Sequence, residues 1–434
     1  MIIKQTELLG TGNWYEKLAD GKIHLLDKVY DLLSDSHHAS ITNNNEQQMS
    51  HNKKIILHVG GEDVRMRIPM LNILSTNNFN VGAIGCEDYE AFERTDIPYF
   101  NYTLHRWLTP FADETSKKEL GGIFKNIEPD LIHLFDTKPG VLTPKIAKQS
   151  GVKHVVRTVT GMGYVFSSNS LIAQLLKPFY RIAQKRAITY TDVVIFQNED
   201  DKAYFEKHKL VPPEKSKLVR SSGLNVEEFL RNKPSEKETI KIRKQLNASE
   251  NDVVVTMVAR LVKDKGVLEF LETAKKLSQY SNIKFVLVGP LGSEGKQAIE
   301  KTTIEYYSRY VNYIGSVSNV VKVLSASDMF VLPTYYREGL PRILLEAGAL
   351  GLPLITTDMP GCRDVVKDGW NGYLVPTRDS NALANAVKKL SDNKELREEM
   401  GAKNPIFIKN NFSLSQVANA YMSIYNNLLN KDKD

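Results

Sequence analysis

Short apolar runs alternating with helical stretches constrain this chain more than any other feature. From Lys53 onward, "KKIILHV", "DLIHLF", "KHVVRTV" and "DVVIFQ" are β-branched runs closed by turn or polar residues. Helical patterns fall between them, around 68–77, 117–126, 144–149 and 171–187. A second series follows with "DVVVTMVA", "IKFVLVG", "VNYIG", "MFVLPT" and "PLITTD". Strands that are apolar on both faces need cover on both, which a parallel sheet flanked by helices supplies. A length of 434 residues leaves room for two such sheets. The polar seam between the series sets the expected boundaries: a first domain at 53–224, a linker at 225–250 and a second domain at 251–411. The final segment, 412–434, is expected to be a helix returning to the first domain. The fold class is α/β, with two doubly wound domains and a cleft between them.

Residues 1–52 stand apart as an extension and polar linker. They hold an amphipathic stretch, "IHLLDKVYDLL", and then "SDSHHASITNNNEQQMSHNKK", whose Asn, Ser and Gln suit a linker better than a core. His37 and His38 lie in that run and read as solvated rather than metal-bound. Met49 stands just before the first convincing strand. A formal charge of +6 is too small and too dispersed for nucleic acid, although it suits an anionic ligand or surface. Two distant cysteines, Cys86 and Cys362, argue against a structural disulfide and for a reducing compartment. No apolar run is long enough to cross a bilayer, and no export signal is visible at the start.

Open parallel sheets bind ligands beyond the carboxyl ends of their strands, beside the next helix N-termini. "TYYREGLPRILLEAGALGLPLITTD" occupies such a place. Glu338 sits in its Gly/Pro turn and Glu346 on the helix that follows, with Pro341 expected at the first helical position. Gly339, Leu340 and Pro341 lie between the two acids, where the positive end of the helix dipole favours phosphate oxygens. A carboxylate accepts several hydroxyl hydrogen bonds, as a sugar or ribose diol would supply. Taken alone, the pair would be a cap and an exposed helix charge. Arg260 and Lys265 in "ARLVKDKGVLEF" fall on the same sheet edge, and two such cations suit a diphosphate. Together the four outline a site for a nucleotide-diphosphate sugar.

"ARLVKDKGVLEF", "VLPTYYREGLPRILLEAGALGLPLITTDMPGCRDVV" and "DGWNGYLVP" resemble the C-terminal half of family-four retaining glycosyltransferases. The resemblance extends over about residues 53–430 and is nearest to bacterial transferases acting on polyprenyl-diphosphate-linked sugars. It implies the GT-B fold, with two Rossmann-like domains facing a cleft. It also implies that Glu338 holds the donor sugar's hydroxyls, Glu346 the ribose, and Arg260 and Lys265 the departing diphosphate. No cofactor or metal is implied, because the UDP-sugar is a substrate. Asp364 stands in "DMPGCRD" where relatives often carry Glu, which puts any contact there in question.

In the first half, Gly60 and Gly61 follow the first strand, and Arg65 and Arg67 precede Pro69. Glycines at a strand–helix junction let backbone N–H groups approach an anion, so these two are assigned to the donor and the arginines to the acceptor. A tight turn with exposed arginines is the plainer alternative. "TGMGYVF" lacks the third glycine of a dinucleotide site, and its Gly163 completes only Gly161-x-Gly163. By the resemblance this loop lies beside the reacting sugar. Thr160 stands where a histidine is common, so Thr160 and Gly161 are assigned only to lining the acceptor side.

The segment "SLIAQLLKPFYRIAQKRAITY" puts Leu175, Leu176, Phe179, Ile182 and Ala183 on one face, with Ile172, and Lys177, Arg181 and Lys185 on another. A basic, apolar helix of this kind suits an anionic membrane surface, or equally a core-facing helix with a solvated side. The expected activity is retaining transfer of a hexose or N-acetylhexosamine from a UDP-sugar to a polyprenyl-diphosphate-linked saccharide. This would serve capsule, O-antigen or glycan assembly, from the cytoplasmic face of the inner membrane. A soluble acceptor and a non-catalytic nucleotide-sugar scaffold are the other two readings.

Overall fold

The computed structural model describes residues 53–431, apart from 62, 87–88, 105–109, 163–165, 167–170 and 292–296. The N-terminal extension, including His37, His38 and Met49, lies outside the described residues, as does Gly163. Two sheets carry the architecture. The first is ordered β3-β2-β1-β4-β5-β6-β7, with β1 at Lys54–Val59, β2 at Phe79–Gly85, β3 at Tyr99–Asn101 and β4 at Leu131–Leu134. Its remaining strands are β5 (His154–Val159), β6 (Val193–Phe196) and β7 (Ser216–Leu218). The second sheet, ordered β10-β9-β8-β11-β12-β13, begins with β8 (Val253–Val258), β9 (Ile283–Val288) and β10 (Val311–Tyr313). Strands β11 (Met329–Leu332), β12 (Leu354–Thr357) and β13 (Gly372–Val375) complete it. Both sheets are parallel and Rossmann-like, as the continuous apolar strands require. Five helices matter below: α1 (Ile68–Thr76), α2 (Leu171–Ile188), α3 (Glu199–Lys207), α4 (Val267–Lys276) and α5 (Arg342–Ala349).

The described chain forms two compact units. One runs to His133 and includes Gln149–Lys153; the other comprises Leu134–Lys148 and the residues from His154 onward. The second unit therefore holds β5 to β7 as well as the whole second sheet.

Four strands escaped the sequence pattern, and their composition explains it. β2 reads "FNVGAIG", with two glycines that weaken the apolar signal. Gly82 pairs with Leu57 across β1, and a Cβ there would lie 2.8 Å from the Leu57 side chain, so the small residue admits a large neighbour. β3 and β7 are three residues each, and β13 was legible only as part of a motif. Two boundaries also differ. β11 ends at Leu332 rather than Thr334, because Pro333 has no N–H for the ladder. Pro341 is the N-cap of α5 rather than its first residue; its ψ of 109° is extended, and Arg342 opens the helix.

In the second sheet the chain builds β8, β9 and β10 outward, then returns to place β11 on the other side of β8. The strand order reverses between β8 and β11, so the loops after those strands share the switch point where such sheets bind ligands. The core beneath is closely filled. β11 is buried along its length, and Phe270 of α4 packs edge-on against Phe285 at 5.4 Å between ring centres. Each such ring contributes about 1.5–3 kcal/mol by leaving water.

Candidate active site

The loops after β8 and β11 are joined before any ligand is considered. Gly266, the N-cap of α4, has φ 78°, and a Cβ there would sit 2.0 Å from the Pro333 carbonyl oxygen. Glycine alone lets the two loops meet so closely. The Asp264 carbonyl then accepts from the Tyr335 N–H (2.9 Å), the Tyr336 N–H (3.1 Å) and the Thr334 hydroxyl (3.1 Å). This union sets Lys265 against Glu338, with Nζ donating to Oε1 at 2.5 Å. Both side chains are largely buried, at 13% and 21% exposure, and Lys265 also lies 5.4 Å from the centre of the Tyr336 ring.

Arg260 is exposed on the loop after β8. Its charge, with those of Lys265 and Glu338, acts on the Asp264 carboxyl. Burial raises that carboxyl above its ordinary range, and the two cations partly offset the rise. Asp264 is thus at the centre of the charged group, although its carboxylate had no signal in the sequence beyond standing between two lysines.

Glu346 lies one turn into α5, where it accepts from Arg342 Nε at 2.8 Å. Burial pushes its carboxyl up, and Arg342 counters part of that shift. Of the residues between the two acids, Gly339 and Pro341 are buried and Leu340 partly so. The Gly339 N–H donates to the Thr160 carbonyl at 2.8 Å. That contact belongs to a short antiparallel bridge: Gly161 pairs with Glu338, and the Met162 N–H donates to Arg337 O at 3.2 Å. Thr160 and Gly161 therefore meet the Glu338 loop directly. A Cβ on Gly161 would lie 2.7 Å from the Gly339 nitrogen, and one on Gly339 2.6 Å from the Thr160 oxygen, so both positions must stay small.

The sequence reading missed a further layer. Asn198 caps α3 and donates from Nδ2 to Gly339 O at 2.8 Å. Arg337 Nε donates to Asp201 Oδ1 at 2.7 Å, with Asp201 fully buried. Arg363 bridges Asp200 (3.0 Å) and Asp358 (2.7 Å), and Asp364 faces Arg220 at 3.6 Å. The signal was present as "NEDD" one residue beyond β6, a cap followed by three acids near a strand end.

The first unit holds the other assigned residues. The Gly60 N–H donates to Ile84 O in the sheet, and its carbonyl accepts from the Tyr102 hydroxyl. Gly61 is buried and bridges to Asp63. Arg65 and Arg67 lie in the 3-10 turn Val64–Arg67 that leads into α1, and Arg65 reaches Asp63 at 3.4 Å. The Arg67 charge acts on two fully buried histidines, His58 of β1 and His133 of β4, whose rings meet edge-on at 5.3 Å. Burial first, then that charge, lowers His58 to about 3; burial, then His58, then Arg67 lower His133 well below its ordinary value.

Helix α2 divides its basic row. Arg181 donates twice to the Tyr204 hydroxyl, at 3.0 and 2.6 Å, and Lys177 lies over the Phe166 ring at 5.7 Å. Lys185 remains exposed beside Arg186. The apolar row faces outward instead: Leu175 is 71% exposed, Phe179 69%, Ile182 49% and Leu176 41%. Tyr180, Gln184 and Ala187 provide the inward face. Among the described residues no helix is long and apolar enough to cross a membrane.

Two family models match the chain. Residues 86–198 match the model "Glycosyl transferase 4-like" and residues 238–406 the model "Glycosyl transferases group 1". The chain is 26% identical over 376 residues to N,N'-diacetylbacillosaminyl-diphospho-undecaprenol alpha-1,3-N-acetylgalactosaminyltransferase of Campylobacter jejuni, covering 86% of this chain and 97% of that protein. It is 29% identical over 340 residues to UDP-Gal:alpha-D-GlcNAc-diphosphoundecaprenol alpha-1,3-galactosyltransferase of Escherichia coli, covering 76% and 85%. The fold matches Anabaena HepE, crystallised with UDP and glucose, with a TM-score of 0.71 at 16% identity, over 86% of this chain and all of that one. Residues 238–406, which hold the whole second sheet, therefore carry a group 1 glycosyltransferase domain, and the glycosyl transferase 4-like match spans β3 to β6 of the first sheet.

Proposed function

We propose that the protein moves a hexose or N-acetylhexosamine from a UDP-sugar to a saccharide carried on a polyprenyl diphosphate, with retention at the anomeric carbon. The observation that carries this reading is the Lys265–Glu338 pair, 2.5 Å apart at the switch point between β8 and β11. As the bond from the sugar to the diphosphate breaks, its electron pair goes to a phosphate oxygen. Lys265 and Arg260 meet that growing charge, the interaction that lowers the barrier most. Glu338 orients Lys265 and receives hydroxyls of the sugar; a carboxylate has about four lone-pair sites, so one bond to Lys265 does not exhaust it. Glu346 receives the ribose. The acceptor hydroxyl attacks from the side the diphosphate leaves, and a departing phosphate oxygen takes its proton.

The acceptor class is supported by the Campylobacter and Escherichia relatives, both named for diphosphoundecaprenol-linked sugars, and the UDP-linked donor by the second. Arg65 and Arg67 are assigned to the acceptor's phosphates. The outward Leu175, Phe179 and Ile182 are assigned to the surface of the inner membrane, with Lys185 and Arg186 beside its anionic headgroups. The test is UDP release across a panel of UDP-sugars, with and without an undecaprenyl-diphosphate-linked saccharide. Release that requires the lipid-linked acceptor is expected. Equal turnover with a soluble sugar or polyol would replace the lipid acceptor by a soluble one.

A further inference from the structure

We propose that the acidic first turn of α3 positions Glu338 for catalysis, acting through the loop that carries it. Three consecutive carboxylates open that helix, and each engages an arginine remote in sequence: Glu199 with Arg220 at 3.4 Å, Asp200 with Arg363 at 3.0 Å and Asp201 with Arg337 at 2.7 Å. Acids are common at helix N-termini because the dipole favours them, and a solvated turn would need no more explanation. Two observations go beyond that. Asp201 is fully buried, and a buried ion pair is a poor source of stability compared with apolar packing, so stability alone is a weak reason for it. The arginine it holds is also the residue immediately before Glu338.

The surrounding contacts converge on the same three residues. Arg337 is held by Asp201 through its side chain and by the Met162 N–H at its carbonyl. Gly339 gives its N–H to Thr160 and its carbonyl to Asn198 Nδ2, which also reaches Asp201 Oδ2 at 3.1 Å. Glu338 is thus fixed on both sides, and its carboxylate is presented to Lys265. Arg363, just beyond β12, bonds Asp200 from a second loop and ties the same turn down beside Asp358. Asp201, Arg337, Asn198, Asp200 and Arg363 are positioning residues, since they act on the substrate only through Glu338. Misplacing a catalytic group by about 1 Å costs on the order of a hundredfold in rate.

This inference rests on the assignment of Glu338 to the donor sugar, and the test separates the two. Asp201→Ala and Arg337→Met are expected to lower kcat by on the order of a hundredfold while UDP affinity by calorimetry stays within about threefold. Arg337→Lys should recover part of the loss. Asp200→Arg and Arg363→Asp should each lower kcat, and the double exchange should restore most of it; this half-exposed pair serves if the Asp201 variants do not fold. Hydrogen exchange at the Met162 and Gly339 amides reads the device without any activity, and Asp201→Ala should expose both. If wild type transfers no sugar, the Glu338 assignment fails and exchange alone judges the positioning contacts. Unchanged exchange, kcat within about threefold of wild type, or kcat and UDP affinity falling together would overturn the proposal.

Discussion

Charge placement decides what individual residues do here. Arg260→Ala and Lys265→Ala should each lose about a hundred- to a thousandfold in turnover, or about 2.7–4 kcal/mol of transition-state stabilisation. Steady-state kinetics checks this, and turnover within about tenfold of wild type in both would remove the diphosphate role. The two glutamates should separate. Glu338→Gln should lower turnover and donor-sugar selectivity, whereas Glu346→Gln should mainly weaken UDP, read by calorimetry with UDP alone. Glu346 also carries a pH signature. Its folded pKa lies above the ordinary 4.5, chiefly through burial, so the folded state holds the proton more tightly than the unfolded chain. Stability from this group is therefore lost as pH rises from about 4.5 into the raised range. Glu346→Gln should remove that slope from a series of melting temperatures. A slope retained in the variant would assign it elsewhere, for example to Asp201 or Asp264, whose carboxyls are raised for the same reason.

Among the elements, α2 changes the experiment that tests membrane contact. Reversing Lys177, Arg181 and Lys185 together would also break the Arg181–Tyr204 bonds, so a loss of binding would have two causes. The outward apolar row gives a cleaner variant. Leu175, Phe179 and Ile182 changed together to Ser remove contacts worth about 1.5–3 kcal/mol each if the side chains enter lipid. Sedimentation with anionic vesicles should fall by more than about tenfold, with UDP affinity and melting temperature unchanged. Undiminished sedimentation would show that α2 is not the contact. The turn at Arg65 and Arg67 is expected to act on the acceptor alone. Arg67→Ala should raise the acceptor KM far more than the donor KM, and an equal rise in both would contradict its assignment.

At the scale of the whole molecule, transfer should persist in excess EDTA. Arg260, Lys265 and the N-terminus of α5 are expected to balance the diphosphate, which leaves a divalent cation no necessary role. A strict requirement for Mg²⁺ or Mn²⁺ would refute this.

The fold was legible because its strands are buried on both faces. Uninterrupted Val and Ile runs declare a parallel sheet without any knowledge of neighbours, and "KKIILHV" and "DVVVTMVA" did so. Strands β2, β3 and β7 were not legible, since glycines or three-residue length left the pairing partner to define them. The same division runs through the site. Glu338, Glu346, Arg260 and Lys265 could be read from strand ends and helix starts, which are local features. That Lys265 meets Glu338 was decided by Gly266 allowing two loops to touch. That Asp201 holds Arg337, and that Arg181 turns to Tyr204 while Phe179 faces outward, depends on elements 136 and 23 residues apart. Periodicity along a chain reports which face of an element is apolar. Only the packed structure determines what that face, or that charge, is set against.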